Sequence, residues 1–269
     1  MFSVRELKNP QNKVTIFISL GPTTIQLTAD GDYVRVGKYE QSIGSLGDHY
    51  FKHGDLYEVA TSSCTELIKN GTIEMERVEL DKTGMEPPRE LLKLRCKTFN
   101  ATFVESEVVK KWLKLVEGPL ETLNITTEFD KIRGIGDWEQ VKSVRQEVVI
   151  AKCDITDQEL DNLQAKSFAF DSENITENGV RTLMKKWLVT YIPGNAFQIR
   201  FKPSPGFIRN ELFKDLKDAE VSWNQGFRFD FKYHQPSGSV VSMDGFYFIT
   251  GEFHLIKVLT PEGWRPHRN

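Results

Sequence analysis

Cysteine is scarce in this chain. Its 269 residues include three, Cys64, Cys96 and Cys153. The count is odd and no two stand in Cys-x-x-Cys spacing, which argues against a disulfide framework or a zinc site and for reduced intracellular thiols. No secretory leader is expected, since Met1-Phe2-Ser3-Val4-Arg5-Glu6-Leu7-Lys8 holds no apolar core of signal-peptide length. No stretch approaches the ~18 apolar residues of a membrane span. The Asn-x-Thr sequons at Asn70, Asn100, Asn124 and Asn174 therefore read as unused. The expected location is cytoplasmic, nuclear or both, with no membrane partner. An excess of one charge is also lacking. Lys and Arg number 35 against 38 Asp and Glu, a net charge of −3, which argues against a nucleic-acid partner.

Motifs for chemistry are missing as well. There is no Gly-x-x-x-x-Gly-Lys-Ser/Thr loop to cradle phosphates and no Gly-x-Ser-x-Gly elbow. Gly134-Ile-Gly136 is a fragment of a dinucleotide fingerprint without its third glycine, and reads as a plain turn. His49 and His53 would share a face if their segment were helical, but no His-Glu-x-x-His motif completes them, so a solvated polar loop is expected. His234, His254 and His267 are scattered. Cys153 opens a helix-entry turn where a thiolate could be favoured. Its counterpart in an internal echo is Glu173, which marks a structural position. No catalytic residue, metal or cofactor is expected, and the chain does not read as an enzyme. An enzyme with an unrecognised site on an αβ scaffold is the alternative.

What is present is an ordinary globular composition, 39% hydrophobic, 11% aromatic and 27% charged, enough for one large or two small domains. The first forty residues read as β. Val14–Leu20, Thr24–Thr28 and Tyr33–Val36 form a meander, with Gly21-Pro22 and Asp30-Gly31 as breaks. Residues 37–55 read as a loop. From Leu56 the period becomes helical through Val59, Ala60, Cys64, Leu67 and Ile68, ended by Asn70-Gly71, and Asp81–Pro88 reads as a polar loop. Strand-like cores then recur near Leu94, Leu123, Val149, Ala169, Ile199 and Phe229, spaced by 20 to 30 residues. Helices are predicted between them at Glu105–Val116, Thr156–Leu163, Glu177–Leu188 and Phe207–Leu216, with a shorter one at Asp137–Val144. Two echoes support a repeat. Cys153–Leu163 reappears as Glu173–Leu183, with Thr156 and Thr176 as N-cap candidates, and Val108-Val-Lys-Lys-Trp-Leu113 reappears as Leu183-Met-Lys-Lys-Trp-Leu188. The C-terminal part returns to antiparallel strands at Phe227–Phe231, Val240–Met243, Phe246–Ile249 and Phe253–Val258, with turns at Pro236-Ser237-Gly238 and Asp244-Gly245. Residues 264–269 read as a frayed polar tail.

The expected fold is α/β or α+β. It is an irregular leucine-rich-repeat-like strand–helix stack flanked by an N-terminal β meander and a C-terminal antiparallel β segment, with a generic α+β domain as the alternative. The boundary is expected between a meander and loop at 1–55 and the stack at 56–269. In such a stack, alternate strand residues point onto one open face. That rule nominates Lys93, Arg95, Asn124, Thr126, Gln198, Arg200, Lys202, Arg228, Asp230 and Lys232, a polar face tilted basic, suited to an acidic protein partner. A weaker alternative is RNA binding with Phe227, Phe229 or Phe231 as stacking residues. Alternation puts these three opposite Arg228 and Asp230, which favours core packing.

Residues 91–258 resemble the F-box-associated domain (type 2) of the large nematode F-box family. The resemblance rests on Leu120-Glu-Thr-Leu-Asn-Ile125, on Val148-Val-Ile150 with Ile155–Leu163 after it, and on Phe168–Thr176 with Leu183-Met-Lys-Lys-Trp187 after it. The meander at Val14–Val36 is similar to the segment on the C-terminal side of the F-box in that family. The resemblance implies substrate recognition for ubiquitin ligation and no catalytic residues. The family opens with an F-box that docks on a Skp-type adaptor, and residues 1–13 are too short to hold one. The adaptor is therefore a partner only if an F-box is supplied. Otherwise a stand-alone binder, inhibitor or antidote is expected.

Overall fold

The computed structural model describes residues 1–9, 13–40, 46–68, 71–127, 130–190, 196–214, 216, 219–224, 227–236 and 239–259. It is a mixed α/β structure in which sheet predominates. The chain divides into two compact units, Met1–Lys131 and Ile132–Asn269, and the expected boundary at residue 55 falls inside the first. Among the described residues, no helix is long and apolar enough to cross a membrane.

The first unit carries β1 (Phe2–Lys8), β2 (Val14–Leu20), β3 (Thr23–Asp30), β4 (Tyr33–Glu40), β5 (Leu46–His53), α1 (Leu56–Leu67), β6 (Thr72–Glu74), β7 (Arg77–Asp81), β8 (Lys93–Arg95), β9 (Thr98–Thr102), α2 (Ser106–Leu113) and β10 (Thr122–Thr126). Its main sheet runs β10-β9-β7-β1-β2-β3-β4-β5. The pairs β10–β9, β9–β7 and β7–β1 are parallel, and β1 to β5 form an antiparallel meander. Apolar residues alternate onto one face, where Val4, Ile16, Ile18, Leu27, Val78, Leu80 and Phe99 are buried. The meander is as expected, but the loop expected at 37–55 is not. β4 runs on to Glu40 and β5 comes after it. Among the described residues β5 pairs with β4 alone, and Tyr50 and Phe51 stay exposed, so this edge strand lacks the alternation that marks a half-buried strand. The core near Leu94 is β8, which pairs with β6 in a separate two-stranded sheet. Helix α1 ends at Leu67, earlier than expected. Gly71 has φ +67, and Asn70 lies outside the described residues.

The second unit carries a 3₁₀ turn at Ile135–Asp137, α3 (Glu139–Lys142), β11 (Glu147–Ala151), α4 (Asp157–Leu160), β12 (Ser167–Ile175), α5 (Glu177–Val189), β13 (Ala196–Pro203), a 3₁₀ turn at Arg209–Glu211, β14 (Ala219–Trp223), β15 (Arg228–His234), β16 (Val240–Thr250) and β17 (Phe253–Leu259). Its sheet runs β14-β15-β16-β17-β13-β12-β11. The pairs β11–β12 and β12–β13 are parallel, and the rest are antiparallel. Phe168, Phe170, Phe197, Ile199, Phe201, Phe229 and Phe231 line the buried face. Against it lie Leu183, Met184 and Trp187 of α5 and, further along, Phe213, which meets Phe229 at 4.8 Å.

Four expectations change here. The helix predicted at Phe207–Leu216 is an irregular strap with one 3₁₀ turn. Its apolar side chains are spaced like a helix face, but they serve the sheet as separate contacts, Phe207 on β13 and β17 and Phe213 on β14 and β15. The helix predicted at Thr156–Leu163 is the single turn α4, and Asp137–Val144 holds a 3₁₀ turn and α3. Asp244-Gly245 is not a turn but the middle of β16, a single strand where two were expected. The turn at Pro236-Ser237-Gly238 and the tail at 264–269 fall wholly or partly outside the described residues.

One backbone feature repeats. Among the described residues, the non-glycine residues with positive φ are Lys82 (52°), Phe103 (53°) and Lys152 (57°). Each stands two places after the second buried residue of a parallel strand, in Val78-x-Leu80-x-Lys82, Phe99-x-Ala101-x-Phe103 and Val148-x-Ile150-x-Lys152. Left-handed backbone costs an ordinary residue roughly 1–2 kcal/mol. Amide bonds to the next strand offset it, as from Lys82 N to Thr102 O at 2.8 Å and from Phe103 N to Thr126 O at 2.6 Å.

Candidate functional site

In the second unit the helices and the strap cover one face of the sheet, and alternation points the other residues of each strand to solvent. Register lines these up across the strands. Gln198 stands opposite Lys257 and Arg200 opposite Leu255. Phe246 stands opposite Lys257 and Phe248 opposite Leu255. Arg228 stands opposite Phe246, and Asp230 opposite Asp244. Six of the ten nominated residues therefore share this face: Gln198, Arg200, Lys202, Arg228, Asp230 and Lys232. What alternation missed is the apolar material between them. Phe227 stacks on Phe248 with centroids 4.9 Å apart, and Phe246 lies parallel to Phe248 at 6.1 Å. Phe253 and Leu255 continue the band on β17, half-buried. The signal was in the sequence. Phe246-Tyr-Phe248 is apolar on both faces of its strand, with Tyr247 turned into the core.

Arginine stacks on this band. The Arg200 guanidinium lies 4.3 Å from the Phe253 ring and that of Arg228 lies 5.4 Å from Phe246, distances at which a cation is drawn to an aromatic face. Beside Arg200, the small side chains of Ala151 and Ala169 leave a depression of about 100 Å³, walled by Val149, Asp171 and Phe253. The tilt toward positive charge is largely neutralised locally. Lys202 lies between Glu173 at 2.6 Å and Glu252 at 3.0 Å, and hydrogen bonds to both carboxylates raise its pKa. Arg228 lies 3.9 Å from Asp244. Among the described residues, Arg200, Lys232 and Lys257 have no carboxylate within ion-pair distance. Glu147, Glu220, Asp230 and Asp244 share the face, which is amphipathic and of mixed charge. Phe229 and Phe231 are buried in the core, and Phe227 is 47% exposed.

The other four nominated residues belong to the first unit. Lys93 and Arg95 are on β8 and converge on Glu117, at 2.8 and 3.3 Å. The Lys93 hydrogen bond, with Arg95 behind it, holds the Glu117 carboxyl below its usual range. Asn124 and Thr126 stand half-buried on β10, opposite Asn100 and Thr102. On the same face, Glu79 and Asp81 of β7 stand opposite Asn100 and Thr102, and Arg5 of β1 pairs with Asp81 at 2.8 Å. His53 meets Tyr33 edge-on at 5.4 Å, while the His49 side chain lies outside the described residues. Among the described residues, no group of three or more His, Cys, Asp or Glu could hold a metal ion.

A cluster of polar rings packs under the strap of the second unit. The Tyr247 hydroxyl and His254 Nδ1 pair at 2.6 Å, and the Arg209 guanidinium lies 3.7 Å from the Trp223 ring and 4.8 Å from Tyr247. Burial lowers the His254 pKa and pushes the Tyr247 phenol up to about 12. Both are neutral at pH 7, and with Phe207 against His254 they clamp the strap to the sheet.

The chain is similar to an uncharacterized F-box protein of Caenorhabditis elegans, 26% identical over 209 residues that make up 73% of this chain and 53% of that protein. It thus spans about half the length of that relative. The similarity relates the chain to F-box-related proteins of nematodes. No family model matches it, and no solved structure does.

Proposed function

We propose that the chain is a non-enzymatic protein-recognition module, resembling the substrate-binding part of an F-box adaptor, that holds a protein target on the open sheet face of its second unit. The observation that carries this reading is the band of Phe227, Phe246, Phe248, Phe253 and Leu255 with Arg200 and Arg228 stacked on it. Aromatic residues and arginine dominate the energetics of protein interfaces. The target offers an apolar anchor, with acidic groups beside it to meet Arg200 and Lys257. Two features support the finer description as a leucine-rich-repeat-like stack of the F-box-associated kind. These are the left-handed residue that recurs after the parallel strands β7, β9 and β11, and Asn174 Nδ2 bonding the Asp154 carbonyl across twenty residues at 3.0 Å. Where an F-box supplies a Skp-type adaptor, the module presents its target for ubiquitylation. Where none does, it occupies the target as an inhibitor or antidote, in the cytoplasm or nucleus.

The test is affinity purification from nematode extract with the wild-type chain and with an Arg200→Glu, Phe248→Ser double variant, scoring the Skp-type adaptor and cullin separately from other proteins. A target retained in near-equal amount by the wild type should bind the variant at least tenfold more weakly, equivalent to about 1.4 kcal/mol. Equal retention by both refutes the surface. Recovery of RNA in place of protein, with binding that weakens steeply in salt, supports nucleic-acid stacking on the same rings instead.

A further inference from the structure

The Lys-Lys-Trp echo has a structural consequence that the open face does not use. In α2 the motif is Lys110-Lys111-Trp112, and Trp112 is fully covered. The ring of Phe2 lies 5.7 Å away, and the indole Nε1 donates to Met85 O at 2.9 Å. Beside that contact Lys111 pairs with Glu86. In α5 the motif is Lys185-Lys186-Trp187, and Lys186 pairs in the same way with Asp161 at 2.8 Å. Trp187 is likewise buried, at 7% exposure, but it stands at the edge of an opening. Trp187 meets Phe197 at 5.8 Å on one side. On the other it edges a cleft of about 860 Å³ between the end of α5 and residues 161–166, floored by Leu163, Phe168, Leu183 and Phe197. The next position in the echo differs as well. Lys114 comes directly after α2, whereas α5 presents Val189 at the cleft's edge, 82% exposed.

The polar rim is one-sided. Lys166, Lys185 and Lys186 line the cleft, and among the described residues Asp161 is its one carboxylate, already paired with Lys186. Among the described residues, Lys166 and Lys185 have no carboxylate partner. The last-turn carbonyls of α5 would by themselves favour a cation. The Thr190 hydroxyl caps two of them, bonding Lys186 O at 3.1 Å and Trp187 O at 3.4 Å, so the lysines set the sign.

We propose that this cleft is a second docking site, for a short acidic segment of a protein partner. One bulky apolar side chain of that segment packs against Trp187 and Val189, and flanking carboxylates meet Lys166 and Lys185. The cleft lies on the helix side of the sheet, so the site stands or falls independently of the open aromatic face. Charge complementarity selects this occupant, since the rim sets Lys166, Lys185 and Lys186 against the single carboxylate of Asp161.

The test is selection of displayed random twelve-residue peptides on the full chain, with affinity then measured on the peptides enriched. The expected result is a bulky apolar residue flanked by Asp or Glu. Binding should fall at least tenfold in a Lys166→Glu, Lys185→Glu double variant and separately in Val189→Asp, and stay unchanged in Arg200→Glu, Phe248→Ser. Peptides that lack acidic residues, or that bind the lysine variant equally well, overturn the proposal. So does a selection that enriches nothing. Peptides lost with Arg200→Glu, Phe248→Ser but not with the lysine variant also overturn it, while supporting recognition on the open face.

Discussion

At the scale of single residues, Gly245 shows how one missing side chain sets a strand. It stands opposite Phe229 on the neighbouring strand, and a Cβ built on it would lie 2.0 Å from that ring. The phenyl group therefore lies over the glycine backbone in the core, which is why Asp244-Gly245 is strand although the pair commonly marks a turn. Gly245→Ala should destabilise the chain by roughly 1–3 kcal/mol through overpacking, read as a lower urea midpoint at unchanged slope. Gly179 makes the sharper case. In a helix interior, glycine to alanine ordinarily stabilises by roughly 1 kcal/mol. Here the new Cβ would meet Asp157 Oδ1 at 2.2 Å and displace the carboxylate that bonds Thr176 N at 2.9 Å. Gly179→Ala should therefore lower the thermal midpoint, and a raised midpoint would refute the contact.

At the scale of elements, the two threonines of the internal echo are both N-caps, and they differ in what they hold. Thr156 forms a complete capping box with Glu159, but α4 is one turn and buries Leu160 alone. Thr176 accepts from Asn178 N at 3.1 Å, bonds the Asp157 carboxylate, and opens a helix with six buried residues. Thr176→Ala should cost about 1–2 kcal/mol and Thr156→Ala less, and the Thr176→Ala, Asp157→Ala cycle should couple by at least ~0.5 kcal/mol. Additivity in that cycle would mean the cap is local to α5. The caps, α1, α2, α5 and the strands with strict alternation were legible because local pattern and tertiary burial agree there. The strap at 207–216 was not, because Phe207, Leu212, Phe213 and Leu216 satisfy a helical period while serving a sheet. Nor was β5, an edge strand that buries little. At the candidate face, alternation located the charged residues. The aromatic band escaped it because a strand apolar on both sides reads from sequence as wholly core.

At the scale of the whole chain, the buried titratable groups divide between the two units in a way that pH should reveal. The first unit holds the Cys64 and Cys96 thiols, pushed by burial from 9.0 up to about 12, and Tyr57, raised by burial and by its 2.6 Å bond to the buried Glu6. These groups are neutral when protonated. Above pH 9 the unfolded chain gives up thiol protons that the folded chain keeps, so stability is full below that point and falls as pH rises toward 12. Tyr57 joins from its unfolded value of 10.0. In the second unit Tyr247 contributes in the same direction, also from 10.0, whereas His254 acts on the acid side. With its pKa held below 6.5, His254 refuses a proton that the unfolded chain accepts, and stability is lost as pH falls from 6.5. The second unit should thus carry this histidine's acid limb. Urea unfolding at pH 7, 9 and 10 should show Cys64→Ala less stable than wild type at pH 7 but with a flatter alkaline limb, by up to about 1.4 kcal/mol per pH unit. His254→Asn should flatten the limb between pH 6.5 and 5 and leave the alkaline one unchanged. Parallel alkaline limbs for Cys64→Ala and wild type would mean that the thiol ionises freely in the folded chain, and that the helix α1 face carrying it is open to water.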